Sequence, residues 1–199
     1  MNKDILICGV GGQGTILASK LLAAAAMEAG NSVHSAETIG MAQRGGSVTS
    51  HVRIGDEAFS PLIPMGCADL MMAFEPAEAV RNLGYLKKDG VVIVNSVPVK
   101  PVTESLNDTG YDGTQMIEYL KNKCANCIVV NSQEMCETLG SEKFFNVAIL
   151  GVAVGSGKLG ITSDEVIAQI ETRVNPKFVE SNKKAFEIGR KVGELNAVK

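Results

Sequence analysis

Two glycine-rich stretches hold the residues best suited to chemistry. In the first, GVGGQGT, Gly9, Gly11 and Gly14 are spaced G-x-G-x-x-G between an apolar run and a helix-forming run. Glycines so spaced let a backbone approach a ligand closely, and the helix behind them points N–H groups at it, which suits an anion and most often a phosphate. Gln13 adds an amide that can donate to a phosphate or to a partner backbone. In the second stretch, ETIGMAQRGGSVTSH, Gln43 and Arg44 precede Gly45 and Gly46. A guanidinium there can grip a phosphate through paired hydrogen bonds, and the glycines let the loop fold over a ligand. Loops leaving neighbouring strand ends of an open α/β sheet line one crevice. Gly11, Gly12, Gln13, Gly14, Gln43 and Arg44 are therefore the candidate binding residues. The same stretches also fit a ligand-free turn and a solvated arginine.

Glu37, near the end of the next predicted strand, stands where a dinucleotide fold keeps its ribose carboxylate. A stand-alone NAD- or flavin-dependent oxidoreductase is thus an alternative reading. Other lookalikes fail. VGSGKLG has Leu159 where a phosphate loop needs Ser or Thr after Lys158. His34 and His51 fall in predicted strands without a nucleophile motif beside them and read as structural. Asp112-Gly113 is too little for a thiamine diphosphate site. The five cysteines, Cys8, Cys67, Cys124, Cys127 and Cys136, are scattered and odd in number, which argues against a disulfide framework. The lone C-x-x-C of Cys124 and Cys127 lacks the further ligands of a zinc or iron–sulfur site. No catalytic residue and no metal ligand set is assigned.

The elements that must position these residues follow from periodicity. DILICGV reads as a buried strand, residues 14–29 as a helix apolar almost all round, and NSVHSAE as a second strand parallel to the first. A helix so apolar should pack on a sheet and meet another surface besides. SVTSHVRIG alternates, with Val48, Ser50, Val52 and Ile54 on one face and Thr49, His51 and Arg53 on the other. Gly55-Asp56 and the run EAFSPLI then predict a hairpin, with 47–54 antiparallel to a strand near Phe59, hence a mixed sheet. DLMMAF, GVVIVNS and CIVVNS are further strands. Helices are expected over 76–88, 114–122, 144–155, 163–174 and 176–195. Ala79, Val80, Leu83 and Leu86 should face inward in the first of these, and Ala185, Ile188, Val192 and Leu195 in the last. Thr162 and Glu165 form a capping box. The fold class is α/β: one three-layer α/β/α domain over 1–199, with a Rossmann-like start and a mixed sheet.

Composition narrows the function classes. A net charge of -3 without a basic cluster speaks against nucleic acid. FFNVAILGVAVGSG is too short to span a bilayer, and no leader-like segment opens the chain, so a cytoplasmic, soluble protein is expected. A binding crevice and an apolar first helix, without a catalytic set, suggest one component of a larger enzyme. A non-catalytic assembly module is the third reading.

GVGGQG, GMAQRGGSVTSHVRIG, SPLIP, ADLMMAFEPAEAVR, NVAILG and NKKAFEIGR together resemble the gamma-type component of the 2-oxoacid:ferredoxin oxidoreductases over most of the chain. The resemblance implies oxidative decarboxylation of a 2-oxoacid, indolepyruvate or another aryl or branched one, to an acyl-coenzyme A. Thiamine diphosphate and iron–sulfur clusters are implied on a large alpha subunit, which passes electrons to ferredoxin, and this chain is implied to be inactive alone. It also implies that Gly11, Gly12, Gln13 and Gly14 face the coenzyme A diphosphate, with Gln43 and Arg44 across the crevice.

Overall fold

The computed structural model describes residues 1–40, 45–100 and 110–197. Strand β1 (Lys3–Val10) forms where the apolar run predicts it. Its side chains alternate between two cores: Ile5 and Ile7 enter one, Leu6 and Cys8 the other, all fully buried. The other strands are β2 (Val33–Ile39), β3 (Ser47–Ile54), β4 (Ala68–Ala73), β5 (Leu86–Asn95) and β6 (Asn126–Val130). The sheet order is β2-β3-β1-β4-β5-β6. β3 runs antiparallel to both β1 and β2, whereas β4, β5 and β6 continue parallel from β1.

The sheet is mixed, as expected, but by a different pairing. β3 does not pair with residues near Phe59; it inserts between β1 and β2, which run the same way without being neighbours. The alternation of 47–54 is used on both edges, with Val52 opposite Ile5 on one side and Ser35 on the other. Residues 55–67 form a loop whose backbone is held by β3 side chains in place of a ladder. The Arg53 guanidinium donates to Ser60 O (3.1 Å), and Ile63 N donates to His51 Nδ1 (3.2 Å). Pro61 and Pro64 could not have donated to a ladder.

Helix α1 (Thr15–Glu28) crosses the face that holds Ile5 and Ile7. Its second surface is internal: α6 (Ser163–Arg173) lies against it, and the buried Gln169 bonds Glu28 across that contact. α6 begins with the expected capping box, Thr162 N donating to Glu165 Oε2 at 2.7 Å. On the same face, α5 (Phe145–Gly155) is buried almost throughout and lies under α7 (Val179–Leu195). The inward stripe of α7 is Asn182, Ala185, Phe186, Gly189 and Gly193, while the predicted Leu195 is exposed. The reason is backbone contact. A Cβ at Gly189 would lie 2.7 Å from the Ala148 carbonyl carbon, and one at Gly151 would lie 2.9 Å from Arg190 N.

The opposite face carries α2 (Pro76–Arg81) and α3 (Thr114–Lys123) over Leu6, Met71, Val92 and Val94. α2 is shorter than predicted. Asn82 closes it, a single 3-10 turn follows over Leu83–Tyr85, and Leu86 pairs with Ala68 as β5 begins. A short helix absent from the sequence reading, α4 (Ser132–Cys136), follows β6.

Candidate functional site

The glycine turn sits where β1 ends and α1 begins, and its glycines do different work. Gly9 permits close packing: a Cβ there would lie 2.7 Å from Gln13 Oε1 and 2.9 Å from Phe74 Cβ. Gly14 is the N-cap of α1 with φ +80°, and a Cβ on it would strike Asn146 Nδ2. Gly12 has φ +100° and nothing within 4 Å of its missing Cβ, so the turn opens outward at this residue. Gly14 has no side chain with which to cap α1, and the first turn of the helix carries no acid. The first N–H groups of a helix have no partner within it; here they carry the positive end of a fourteen-residue dipole toward the opening.

Gln13 bonds to backbone. Its Oε1 accepts from Val10 N (2.8 Å) and its Nε2 donates to Phe74 O (2.9 Å), tying the turn to the end of β4. Of the two roles the sequence offers this amide, the coordinates show the bracing one. Asn95, which the sequence reading passed over, completes the brace. It is buried at the end of β5, donates to Phe74 O (3.2 Å) and Ser132 Oγ (3.3 Å), and accepts from Ser132 N (3.0 Å). In the sequence Asn95 shows only as a polar residue closing the apolar run GVVIVN.

Beside the turn lies a crevice of about 490 Å³, bordered by Gly12, Gln13 and Gly14, by Asn95 and Val97–Val99, and by Ser132, Glu142, Lys143 and Phe145. It lies at the carboxyl ends of β1 and β5, the place an open α/β sheet reserves for ligands. Lys143 brings a positive charge, and Glu142 is within reach of Ser132 Oγ at 3.4 Å. Asn146, nine-tenths buried, spends Oδ1 on Val147 N (2.9 Å) and abuts Gly14 with its amide nitrogen. Gln43 and Arg44 lie outside the described residues. Gly46, two residues on from Arg44 in the sequence, is held to the turn, Gly11 N donating to Gly46 O at 2.8 Å.

The other candidates separate cleanly. Glu37 is on β2, one strand removed from β1, and faces α1, where Ser19 Oγ donates to it at 3.2 Å. It does not stand across from the glycine turn, as a ribose carboxylate would. His51 is buried, with its ring edge-on to Tyr85 at 5.3 Å, and burial lowers its pKa, which suits its acceptor role toward Ile63 N. His34 is exposed on β2. Lys158 follows the carboxyl end of α5, the wrong helix pole for a phosphate. All five cysteines are free. Burial pushes Cys127 up to about 11 and raises Cys124 too, so both are held as thiols. No group of three or more potential ligands among the described residues is arranged to hold a metal. No helix among them is long and apolar enough to cross a membrane.

This crevice and sheet define an α/β subunit fold shared with known proteins. Residues 4–192 match the family Pyruvate ferredoxin/flavodoxin oxidoreductase, and the chain belongs to that family. It is 40% identical over 190 residues to the Indolepyruvate oxidoreductase subunit IorB of Archaeoglobus fulgidus, covering 95% of this chain and 94% of that one. The gamma subunit of a keto/oxoacid ferredoxin oxidoreductase from Geobacter sulfurreducens superposes with a TM-score of 0.71 at 25% identity, covering 97% and 99% of the two chains. The fold also recurs as 31% of a longer chain, the 2-oxoglutarate:ferredoxin oxidoreductase of Magnetococcus marinus, with a TM-score of 0.69 at 16% identity. The chain is thus a subunit of a 2-oxoacid:ferredoxin oxidoreductase.

Proposed function

We propose that this subunit serves the oxidative decarboxylation of an aryl 2-oxoacid such as indolepyruvate, and that its crevice holds the diphosphate of coenzyme A. In the overall reaction the carboxylate leaves as carbon dioxide and the acyl carbon forms a thioester with the coenzyme A sulfur. Two electrons reduce two ferredoxins and the thiol proton is released. The observation that carries the coenzyme A reading is the uncapped amino end of α1, opening past Gly12 into a crevice large enough for part of that ligand. Arg44 and Gln43 belong to the opposite wall on this reading. The name of the Archaeoglobus fulgidus relative supports the choice of oxoacid.

Thiamine diphosphate and the iron–sulfur clusters belong to a larger partner on this reading. An iron–sulfur cluster does not fit the described residues of this chain. Cys124 and Cys127 are raised thiols with no further ligands arranged around them. No step through either group is assigned to this chain.

The test is coenzyme A dependence in the reconstituted complex, with indolepyruvate as substrate and a viologen as acceptor. Gly12→Ala would project a methyl group into the opening and strain a turn held at φ +100°. It is expected to raise the apparent KM for coenzyme A while leaving that for the oxoacid unchanged. An assembled Gly12→Ala complex with wild-type KM for coenzyme A would refute the assignment, as would turnover indifferent to coenzyme A.

A further inference from the structure

Two glutamates on the sheet face opposite α1 are buried without being accounted for by the crevice. Glu75 and Glu78 are 3% and 4% exposed, and both belong to the start of α2. Burying a carboxylate is costly unless hydrogen bonds replace its water. Capping a six-residue helix does not require it, since a solvated side chain would cap as well. The donors show what the expense secures. Glu75 caps α2 by accepting from Glu78 N (3.0 Å), and its other oxygen accepts from Tyr111 Oη (2.5 Å). The same phenol accepts from Ala77 N at 3.2 Å, so Tyr111 fastens the first turn of α2 from outside. Burial and the Glu75 carboxylate raise the Tyr111 pKa far above its ordinary value, which keeps the phenol a donor.

From this fixed turn Glu78 reaches across to another segment. Its Oε2 accepts from Ser47 Oγ at 2.6 Å, and its Oε1 is neutralised by Arg81 at 3.0 Å. Ser47 is the residue at which β3 begins. Immediately before it, Gly46 O accepts from Gly11 N, and Gly45 N donates to Gly11 O at 3.4 Å. A continuous path therefore runs from Tyr111 through Glu75, α2, Glu78 and Ser47 to the backbone of the glycine turn. Charge-assisted bonds to buried carboxylates are its strongest members.

We propose that Glu78, held in place by Glu75 and Tyr111, is a positioning residue. By fixing Ser47 it sets where Gly45 and Gly46 lie against Gly11, and so holds the glycine turn that borders the crevice. The positional claim stands on hydrogen bonds alone; its effect on coenzyme A rests on the functional reading above.

The experiment compares Ser47→Ala and Glu78→Gln with wild type, both as the full chain and in the assembled complex. Hydrogen exchange is read at the amides of Gly11, Gly40 and Gly45, which donate to Gly46 O, Ser47 O and Gly11 O. Loss of a hydrogen bond to a charged group should speed exchange at these amides roughly tenfold or more. Amides in β4 and β5 should be unchanged. In the complex, the KM for coenzyme A should rise severalfold with kcat and the oxoacid KM held, and Ser47→Thr should restore it. Unchanged exchange at all three amides in folded Ser47→Ala overturns the latch, whatever the kinetics do. Faster exchange with an unmoved coenzyme A KM supports the latch and tells against coenzyme A at the glycine turn, so the two ideas fail separately. Ser47→Ala keeps the test open if Glu78→Gln does not fold.

Discussion

Replacing Gly189 with alanine tests the packing that holds the α5 end of the crevice. On helix propensity alone the change should stabilise α7, because alanine is worth about 1 kcal/mol over glycine in a helix interior. The structure predicts the opposite sign. The new methyl would fall 2.7 Å from the Ala148 carbonyl carbon and closer still to its oxygen, inside the 3.0 Å that real Cβ atoms keep. The obstacle is backbone, so no rotamer can yield, and the two helices must separate. Overpacking of this kind costs about 1–3 kcal/mol. Taking the upper end and subtracting the propensity gain leaves roughly 2 kcal/mol of destabilisation. At about 2–4 °C per kcal/mol for a chain of this size, Tm should fall by roughly 4–8 °C. Thermal denaturation of the full chain, followed by far-ultraviolet circular dichroism, measures it. A Tm equal to or above wild type would refute the reasoning. Gly151→Ala should behave alike, and the double variant should cost less than the sum, because one separation of the helices relieves both clashes.

Arg44→Ala should raise the apparent KM for coenzyme A roughly tenfold or more, the loss of one charge-assisted contact of about 1.5–3 kcal/mol; Arg44→Lys should recover part of it, and an unchanged constant in an assembled complex excludes the contact. The chain without its partner should fold yet show no turnover of indolepyruvate with a ferredoxin substitute, a result that sustained turnover would contradict. His51 has a lowered pKa from burial. The unfolded chain therefore binds a proton first, so stability should decline as pH falls below about 6.5 toward the folded value. His51→Gln should flatten that decline in pH-dependent urea midpoints, and an identical slope would count against the buried neutral ring.

What the sequence made legible divides along physical lines. β1, α1, α5 and α6 were readable because an apolar run, a fingerprint or a capping box marks them locally. The partner of β3 was not, because alternation reports which face of a strand is buried and says nothing about which strands flank it. A turn-like Gly55-Asp56 invited the wrong neighbour, while the pairing that formed joins β3 to β1 and β2. Of the predicted inward stripe of α7, Ala185, Ile188 and Val192 do meet the core and Leu195 does not, while Gly189 and Gly193 were missed because glycines carry no hydropathy signal, although four glycines bring α5 and α7 into backbone contact. At the site, Gly9, Gly11 and Gly14 were visible through spacing. Asn95, Asn146, Glu75 and Glu78 were not, since a polar residue declares itself buried only when the segments that satisfy it come together.

The cover that α7 places over α5 also has a consequence for how the protein is made. Nine residues of α5 are buried, and nearly all are apolar, yet the helix that seals them follows α6 in the chain. During vectorial synthesis α5 leaves the ribosome before its lid exists, and its glycine-lined groove stays open until α7 emerges. Uncovered apolar surface of this kind makes a nascent chain prone to aggregate. A ribosome that stalls or terminates between the two helices thus releases a species with an intact glycine turn and an open flank. Yield on expression should accordingly depend on translation through 163–195 more than through any earlier stretch.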